Sequence, residues 1–134
     1  MRGTKPHLAA DPDGLIDVPK PPAWLSKDAK AEWRRVVPLL VARKILTDAD
    51  LGTLESYTIA IGTVREARRL IAREGMTFMG ASGPKRHPAV GVMNEAMGLA
   101  LRLAAELGLT PVSRSRPAIR DDEHDDEDDA LGLS

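Results

Sequence analysis

Residues 47–75, TDADLGTLESYTIAIGTVREARRLIAREG, have the pattern of one long amphipathic helix. Thr47 is a suitable N-cap, and Asp48 and Asp50 place negative charge in the first turn, where the helix dipole favours it. Apolar residues then recur every three or four positions, the period of a helix with one buried face. Gly75 ends this pattern. The stretch therefore predicts a helix of about seven turns over residues 47–74.

A second helix is predicted before it, over residues 27–43. Ser26 is a good N-cap, Asp28 lies in the first turn, and the apolar positions from Ala29 onward follow a helical period. Pro38 lies inside the pattern and should bend the helix or end one segment. Because the link to the long helix is short, the two helices should pack as an antiparallel pair.

The chain after the long helix predicts a turn region and a third helix. Residues 76–88, MTFMGASGPKRHP, combine an extended-type start with turn-forming Gly and Pro, which indicates a loop or a small hairpin. The third helix runs to Leu107, with Pro88 in its first turn and Gly108 just beyond its end. Residues 110–111, Thr-Pro, should cap and start a last short turn or helix.

The third helix is apolar on nearly all sides, with charge only at Glu95, Arg102 and Glu106. Such a helix must be covered on more than one side. It is either the central core helix of a single chain or a subunit interface, and we favour the interface. The predicted interface residues are Met93, Met97, Leu99, Leu101, Leu103 and Leu107.

Length and composition predict one small, mainly all-α domain between two extended ends. The 134 residues include few aromatics and no Cys, so the core must come from aliphatic side chains, and disulfides are excluded. Residues 1–25 hold five prolines and predict a flexible arm. Residues 26–116 form the helical domain, and residues 117–134 are expected to be a disordered acidic tail.

The charge is divided sharply along the chain. All 19 Lys and Arg lie in residues 1–120 with 12 of the 20 acids, so this part carries +7. The remaining eight acids lie in residues 121–129, within the tail. A basic body favours a polyanionic partner, and the tail nearly cancels the charge of the body. The alternative is that the tail only adds solubility.

Catalytic and metal chemistry have no support in the residue pattern. His7, His87 and His124 are far apart in sequence, and the Gly/Pro segment lacks the spacing of a phosphate-binding loop. We therefore expect no enzyme activity, no metal and no cofactor. No apolar run approaches the about 20 residues of a membrane span, and the start lacks a signal-peptide pattern, so we expect a cytoplasmic protein without membrane partners.

The basic residues form clusters that could contact phosphate. Arg65, Arg69 and Arg73 recur every four positions, which places them along one face of the long helix. The alternative is a solvated face paired with Glu66 and Glu74. The full set of predicted DNA-binding residues is Arg2, Lys5, Arg65, Arg68, Arg69, Arg73, Lys85, Arg86, Arg114 and Arg116. A few arginines per chain bind weakly and in a salt-sensitive way, and an oligomer would multiply their effect.

The order of several motifs resembles the small terminase subunit of tailed phages. They are MRGTKP, then PPAWLSKDAKAEWRRVVPLL, ILTDADLGTLESYTIA, KRHPAV, and the closing LRLAAELGLTPVSRSR. The resemblance spans residues 1–116 and leaves the acidic tail outside. Thr4 stands where the family commonly has a base.

The resemblance implies a non-catalytic packaging component that forms a ring, engages double-stranded viral DNA in the host cytoplasm, and delivers it to a large terminase subunit with ATPase and nuclease activities. We expect the tail either to compete with DNA or to contact the large subunit through Leu131 and Leu133. Two alternatives stay open from the residues alone. One is a small dimeric DNA-binding regulator, and the other is a helical protein-interaction module without a nucleic-acid role.

Overall fold

A computed structural model of the chain describes residues 12–114. These residues form three helices and one antiparallel hairpin, which confirms the mainly helical fold. Of the loop or small hairpin expected between the second and third helices, the chain forms the hairpin. The elements in chain order are α1 Lys27–Ala42, a short 3-10 turn Asp48–Asp50, α2 Leu51–Glu74, β1 Thr77–Gly80, β2 Gly83–Arg86 and α3 Pro88–Glu106.

The predicted helix boundaries follow from local capping. The Ser26 hydroxyl accepts a hydrogen bond from the backbone N–H of Ala29 at 3.1 Å, and so satisfies one of the free donors of the first turn of α1. The helix continues through Pro38 and does not end there. Before α2, the Asp50 carboxylate accepts a hydrogen bond from the backbone N–H of Thr47 at 2.9 Å, which fixes the start of the turn that leads into the helix.

The helices α1 and α2 pack antiparallel, as predicted. Asp28 pairs with Arg69, while Glu32, one turn further along α1, pairs with Arg65, one turn earlier on α2. The approach is close at Gly62, where a Cβ atom would lie 3.0 Å from the backbone nitrogen of Ala29. The core between them is aliphatic, with Trp33 and Tyr57 as its aromatic members. Its main buried residues are Trp33, Val36, Val37, Leu40, Leu46, Leu54 and Tyr57.

The third helix packs on α2 through small residues. Ala89, Ala96 and Ala100 are its buried positions within the helix, so α3 lies close to α2. At its end, Leu107 is only 7% exposed and joins the α1–α2 core, with the half-buried Leu103 against the same core. The third helix is thus partly a core helix, and these two leucines are covered within the single chain.

Residues 12–25 lack helix and strand but are attached to the helical domain. The backbone N–H of Leu15 donates to the carbonyl of Leu46 at 2.8 Å, and the indole of Trp33 donates to the carbonyl of Pro19 at 2.8 Å. Leu25 is buried in the core. The flexible arm expected over residues 1–25 stays a prediction, and within it residues 12–25 make these contacts with the helical domain. The remaining arm residues, 1–11, lie outside the described residues.

The described chain ends in the predicted cap. The backbone N–H of Ser113 donates to the Thr110 hydroxyl at 3.1 Å, and residues 111–114 are helical. The last residues of the expected domain, 115–116, and the acidic tail, 117–134, lie outside the described residues. From residue 12 to residue 114, no helix has the length and apolarity needed to cross a membrane.

Candidate nucleic-acid interface

The arginine row on α2 lies partly against α1. Arg65 donates to the carboxylate of Glu32, with Nη2 2.8 Å from Oε1, and Arg69 forms a bidentate pair with Asp28 at 2.5 and 3.1 Å. The hydrogen-bond partners of these two arginines are therefore acids of α1, whereas the spacing along α2 suggests Glu66 and Glu74.

Glu32 is the centre of a buried polar cluster that the sequence did not predict. Its side chain has no exposed surface, yet it accepts hydrogen bonds from the Tyr57 hydroxyl at 2.5 Å and from the Arg65 guanidinium at 2.8 Å. Arg35, one turn along α1, adds two bonds at 2.6 and 2.9 Å. A buried carboxylate is tolerated only when its oxygens are fully paired in this way. The only signal in the sequence is that Glu32 falls in the apolar stripe of α1, beside Trp33.

The cluster shifts the ionisation of its members in consistent directions. Burial raises the pKa of Glu32, but the hydrogen bonds from Arg35 and Tyr57 outweigh it, and the pKa lies below its ordinary value. Burial, together with the hydrogen bond to Glu32, raises the pKa of Tyr57 to about 12. The hydrogen bond to Glu32 raises the pKa of Arg35. Glu32 is thus ionised and Tyr57 neutral at physiological pH.

The ion pair between Asp28 and Arg69, which lies nearer the surface, also shifts the pKa values of its members. The hydrogen bond from Arg69 lowers the pKa of Asp28, and the same bond raises the pKa of Arg69. Asp28 also lies in the first turn of α1, where the helix dipole favours its negative charge. The two acids of α1 therefore offset much of the charge of Arg65 and Arg69, which leaves these arginines less available to an external anion than their spacing implies.

Arg68 and Arg73 are placed differently on α2. Both are exposed, and neither forms an ion pair with another residue of the 12–114 segment. Arg68 borders a shallow surface cavity of about 260 Å³ together with Arg65, Arg69 and Ala72. Arg73 lies in the last turn of α2, next to the start of the hairpin.

The hairpin carries two further exposed bases, Lys85 and Arg86. Lys85 pairs across the strands with Phe78, and its aliphatic chain covers Gly80, where a Cβ atom would lie 2.9 Å from the lysine Cδ. The Arg86 guanidinium lies over Gly91, in the first turns of α3. The close approach at Gly80 thus positions the aliphatic stem of Lys85, and the approach at Gly91 positions the guanidinium of Arg86, while both residues stay exposed.

His87 joins the hairpin to both helices. Its Nδ1 accepts a hydrogen bond from the backbone N–H of Ala89 at 3.0 Å, which caps α3. Its Nε2 lies 2.8 Å from a carboxylate oxygen of Glu74, at the end of α2, and its backbone N–H donates to the carbonyl of Met76 at 2.7 Å. Because Nδ1 is the acceptor, the proton of a neutral ring lies on Nε2 and points to Glu74. His87 is therefore a structural connector.

The structure brings three of the predicted DNA-binding residues to one end of the molecule. Arg73 precedes Glu74, which contacts His87, and His87 directly follows Lys85 and Arg86. We call this set of three residues, Arg73, Lys85 and Arg86, the basic end. Arg114 lies beyond the other end of α3. Arg2, Lys5 and Arg116 lie outside the described residues, as do Leu131 and Leu133.

The predicted apolar interface is divided by the fold. Leu103 and Leu107 face the core, and Met93 is half-buried. Met97, Leu99 and Leu101 are exposed. Two more apolar residues are exposed that the sequence pattern did not indicate: Ile59 on α2 and Val92 on α3, which line a groove between the helices. Periodicity alone gave no sign that these two would lie side by side.

Among residues 12–114, no group of three or more His, Asp or Glu side chains is placed to hold a metal ion. The groups at the basic end donate hydrogen bonds and carry positive charge, which suits them to bind phosphate oxygens.

Fold and surface together define a small helical domain with a basic end and an uncovered apolar side. The family model for phage terminase, small subunit, matches residues 29–124, so the chain belongs to this family. No curated protein and no solved structure matched the chain. The matched region begins after the MRGTKP opening and extends past residue 116 into the first residues of the acidic tail, which the resemblance had left outside.

Proposed function

We propose that this chain is a non-catalytic packaging subunit that binds double-stranded viral DNA and assembles into an oligomeric ring in the host cytoplasm. It would deliver the genome to the large terminase subunit, which supplies the ATPase and nuclease activities. Membership of the small-subunit family supports the packaging role. The basic end supports the contact with DNA, because Arg73, Lys85 and Arg86 are exposed and have no acid partner among residues 12–114.

The proposed DNA contact is electrostatic. Three exposed cations at one end of the molecule suit contacts with phosphates, which do not depend on the base sequence. Each chain would bind weakly by itself. Several copies on one assembly would raise the effective concentration of the basic ends and so the overall affinity.

Arg65 and Arg69 have a second role that limits their use as a test of DNA binding. Replacing them would remove partners of the buried Glu32 and of Asp28, and so would loosen the packing of α1 on α2. Weaker DNA binding by such variants would not separate a missing phosphate contact from a damaged fold. The basic end avoids this difficulty.

The test is a salt titration of DNA binding. In a variant with Arg73, Lys85 and Arg86 replaced by Ala, the slope of log K against log salt should flatten by about 0.9 for each phosphate that a bound chain no longer neutralises. The matched control replaces Lys20, Arg34 and Arg43, three exposed bases on the segment before α1, on α1 and at its end. The control carries the same change in net charge. An equal flattening in both variants would show that net charge alone matters and would contradict a localised site.

For assembly, the proposal rests on apolar side chains left without cover in the single chain. Met97, Leu99 and Leu101 lie on α3 and are exposed. Met97 and Leu101 lie one turn apart, and Leu99 lies with Ile59 and Val92, so two exposed apolar patches are present, of the kind that marks a contact with another macromolecule. A second copy of the chain is the simplest partner, because the affinity for DNA rises when several basic ends are held in one assembly.

The acidic tail is proposed to regulate access to the basic surface. Residues 121–129 supply eight acids, against a charge of +7 on residues 1–120. At this ratio the tail can compete with phosphate for the bases of the body. The second proposed role is contact with the large subunit through Leu131 and Leu133. Removal of residues 121–134 separates these roles, because only competition predicts tighter DNA binding by the shortened chain.

A further inference from the structure

An apolar groove runs between α2 and α3 on the side away from α1. Ile59 and Thr63 of α2 face Val92 and Leu99 of α3 across it, over a volume of about 380 Å³. A second hollow of about 330 Å³ adjoins it and shares Thr63 and Val92. We call this surface the α2–α3 groove. Ile59, Val92 and Leu99 are exposed, so the single chain leaves the groove open.

A second apolar surface lies on the opposite flank of α3. Met97 and Leu101 are 49% and 65% exposed. They lie one turn apart, and we call them the α3 ridge. Successive residues of a helix are rotated by about 100°, so Leu101 points about 200° away from Leu99 of the groove. The groove and the ridge therefore face in opposite directions from the same helix.

The two sides also differ in charge. Glu66 lines the second hollow and Glu95 lines the first, so the groove is bordered by acids. Arg68, two residues after Glu66, points about 200° away from it on α2 and lies on the other flank, where it borders the cavity shared with Arg65. The groove is thus apolar with an acidic rim, and Arg68 supplies a cation on the side of α2 that is turned away from it.

We propose that the α3 ridge of one copy packs into the α2–α3 groove of the next copy, head to tail. The two surfaces match in polarity, and Arg68 of one copy would approach the acids at the groove of its neighbour. This gives Arg68 a role in the subunit contact in place of the phosphate contact expected from the sequence. The acidic tail is a poor occupant of the groove, because its eight acids would be repelled by Glu66 and Glu95.

Because the ridge and the groove face in opposite directions, a two-fold dimer and a head-to-tail assembly would cover them differently. A two-fold dimer buries the same surface on both copies, and so would cover either the ridge or the groove and leave the other exposed. A head-to-tail contact uses both surfaces of every copy and leaves neither exposed once the assembly closes into a ring. This inference rests on the proposed assembly of the chain and specifies which surfaces form it.

Two single substitutions test it. Leu101→Glu places a charge on the ridge and leaves the groove intact, whereas Ile59→Glu does the reverse. Both positions are exposed in the single chain, so the fold should tolerate either change. Native mass spectrometry should find each variant alone as a monomer. An equimolar mixture should form a one-to-one heterodimer and nothing larger, because one intact ridge and one intact groove remain between the two partners.

The control is Ile16→Glu, which puts the same charge at a residue that is 90% exposed and lies on neither surface. It should assemble like the unchanged chain. If Leu101→Glu and Ile59→Glu both assemble normally, the ridge and groove are not the contact, although the ring may still form by other surfaces. If both are monomers and their mixture stays monomeric, the contact is not head to tail. An unchanged chain that is itself monomeric would refute the proposed assembly and this contact with it.

A cross-link gives a positive result for the same contact. The chain has no Cys, so Leu101→Cys together with Ile59→Cys introduces the only two thiols. Under mild oxidation, a head-to-tail contact should link copies into a ladder of dimers, trimers and larger species. Each single-Cys variant can form no species beyond a dimer. A double variant that stops at the dimer, in a chain that still assembles, would overturn the proposed pairing.

Discussion

The buried carboxylate of Glu32 is the feature whose perturbation tests the account of the fold most sharply. It joins α1 to α2 through Tyr57 and Arg65 and has no exposed surface. Glu32→Gln keeps the size of the side chain but removes its charge and one of its acceptor oxygens. The two arginines then lack their ionised partner. One carboxylate oxygen, which accepts at least one hydrogen bond, is replaced by an amide N–H₂ group that can only donate.

The expected loss of stability depends on how exposed the arginine partners of Glu32 are. Removing one member of a fully buried ion pair costs about 3–5 kcal/mol, because a charge is left buried and unpaired. Here the side chains of Arg35 and Arg65 are 61% and 37% exposed, so water can solvate their charges once Glu32 is neutral. The cost should therefore be smaller. We expect the free energy of unfolding to fall by about 2 kcal/mol for Glu32→Gln, and by about 1–2 kcal/mol for Tyr57→Phe, which removes one charge-assisted hydrogen bond.

The assay is urea unfolding followed by circular dichroism at one fixed protein concentration, so that any assembly contributes equally to all samples. The control is Glu106→Gln, at an exposed position at the end of α3, which should change the free energy by less than about 0.5 kcal/mol. If Glu32→Gln were as stable as this control, the buried cluster would not hold α1 to α2, and the reasoning would fail.

The same cluster predicts a pH dependence at both ends of the scale. Because the pKa of Glu32 is lowered in the folded state, its contribution to stability is present above its ordinary pKa of about 4.3 and is lost as the pH falls through the lowered value. The pKa of Tyr57 is raised to about 12, so its contribution is complete below its ordinary pKa of about 10 and is lost as the pH rises towards 12.

The chain has one Tyr, so the absorbance of tyrosinate reports Tyr57 alone. In the folded protein the titration midpoint should lie well above that of the urea-unfolded chain. Glu32→Gln should lower this midpoint, because the hydrogen bond to the carboxylate is one of the causes of the shift. A folded midpoint equal to the unfolded one would contradict the buried hydrogen bond.

Three further results are expected. Gly62→Ala should destabilise the fold by about 1–3 kcal/mol in thermal unfolding, because the new Cβ would lie 3.0 Å from the α1 backbone. The control Gly52→Ala, where nothing lies within 4 Å of the new Cβ, should stabilise the fold by about 0.5 kcal/mol. Equal effects of the two substitutions would contradict the close packing at Gly62. Trp33→Phe removes the indole donor and should make residues 12–25 more sensitive to limited proteolysis, and an unchanged cleavage rate would show that this bond does not hold the segment. Deleting residues 121–134 should tighten DNA binding at low salt if the tail competes, whereas unchanged affinity would favour contact with the large subunit.

The helices were predictable because their signals are local. The caps at Ser26 and Thr47, the Pro at the start of α3 and the apolar period all act within a few residues, and the structure confirms the elements they predict. The hairpin followed from the turn residues between α2 and α3. These signals do not depend on how the elements pack.

The features that the sequence did not reveal depend on packing between distant residues. The pairing of Glu32 with Arg65 needs the register of α1 against α2, which neither helix encodes alone. The attachment of residues 12–25 needs the indole of Trp33 and the carbonyl of Leu46 in place. On α3, an apolar surface on every side removes the periodic signal, so the sequence could not separate the core-facing Leu107 from the exposed ridge.

The central proposal is that this member of the small terminase subunit family works as a closed assembly of several copies on DNA. Native mass spectrometry of the full chain, with and without double-stranded DNA, tests it most directly. The account predicts one discrete species of more than two copies without DNA, and a shift of that species by the mass of bound DNA when DNA is added. A monomer at micromolar concentration, unchanged by DNA, would contradict it.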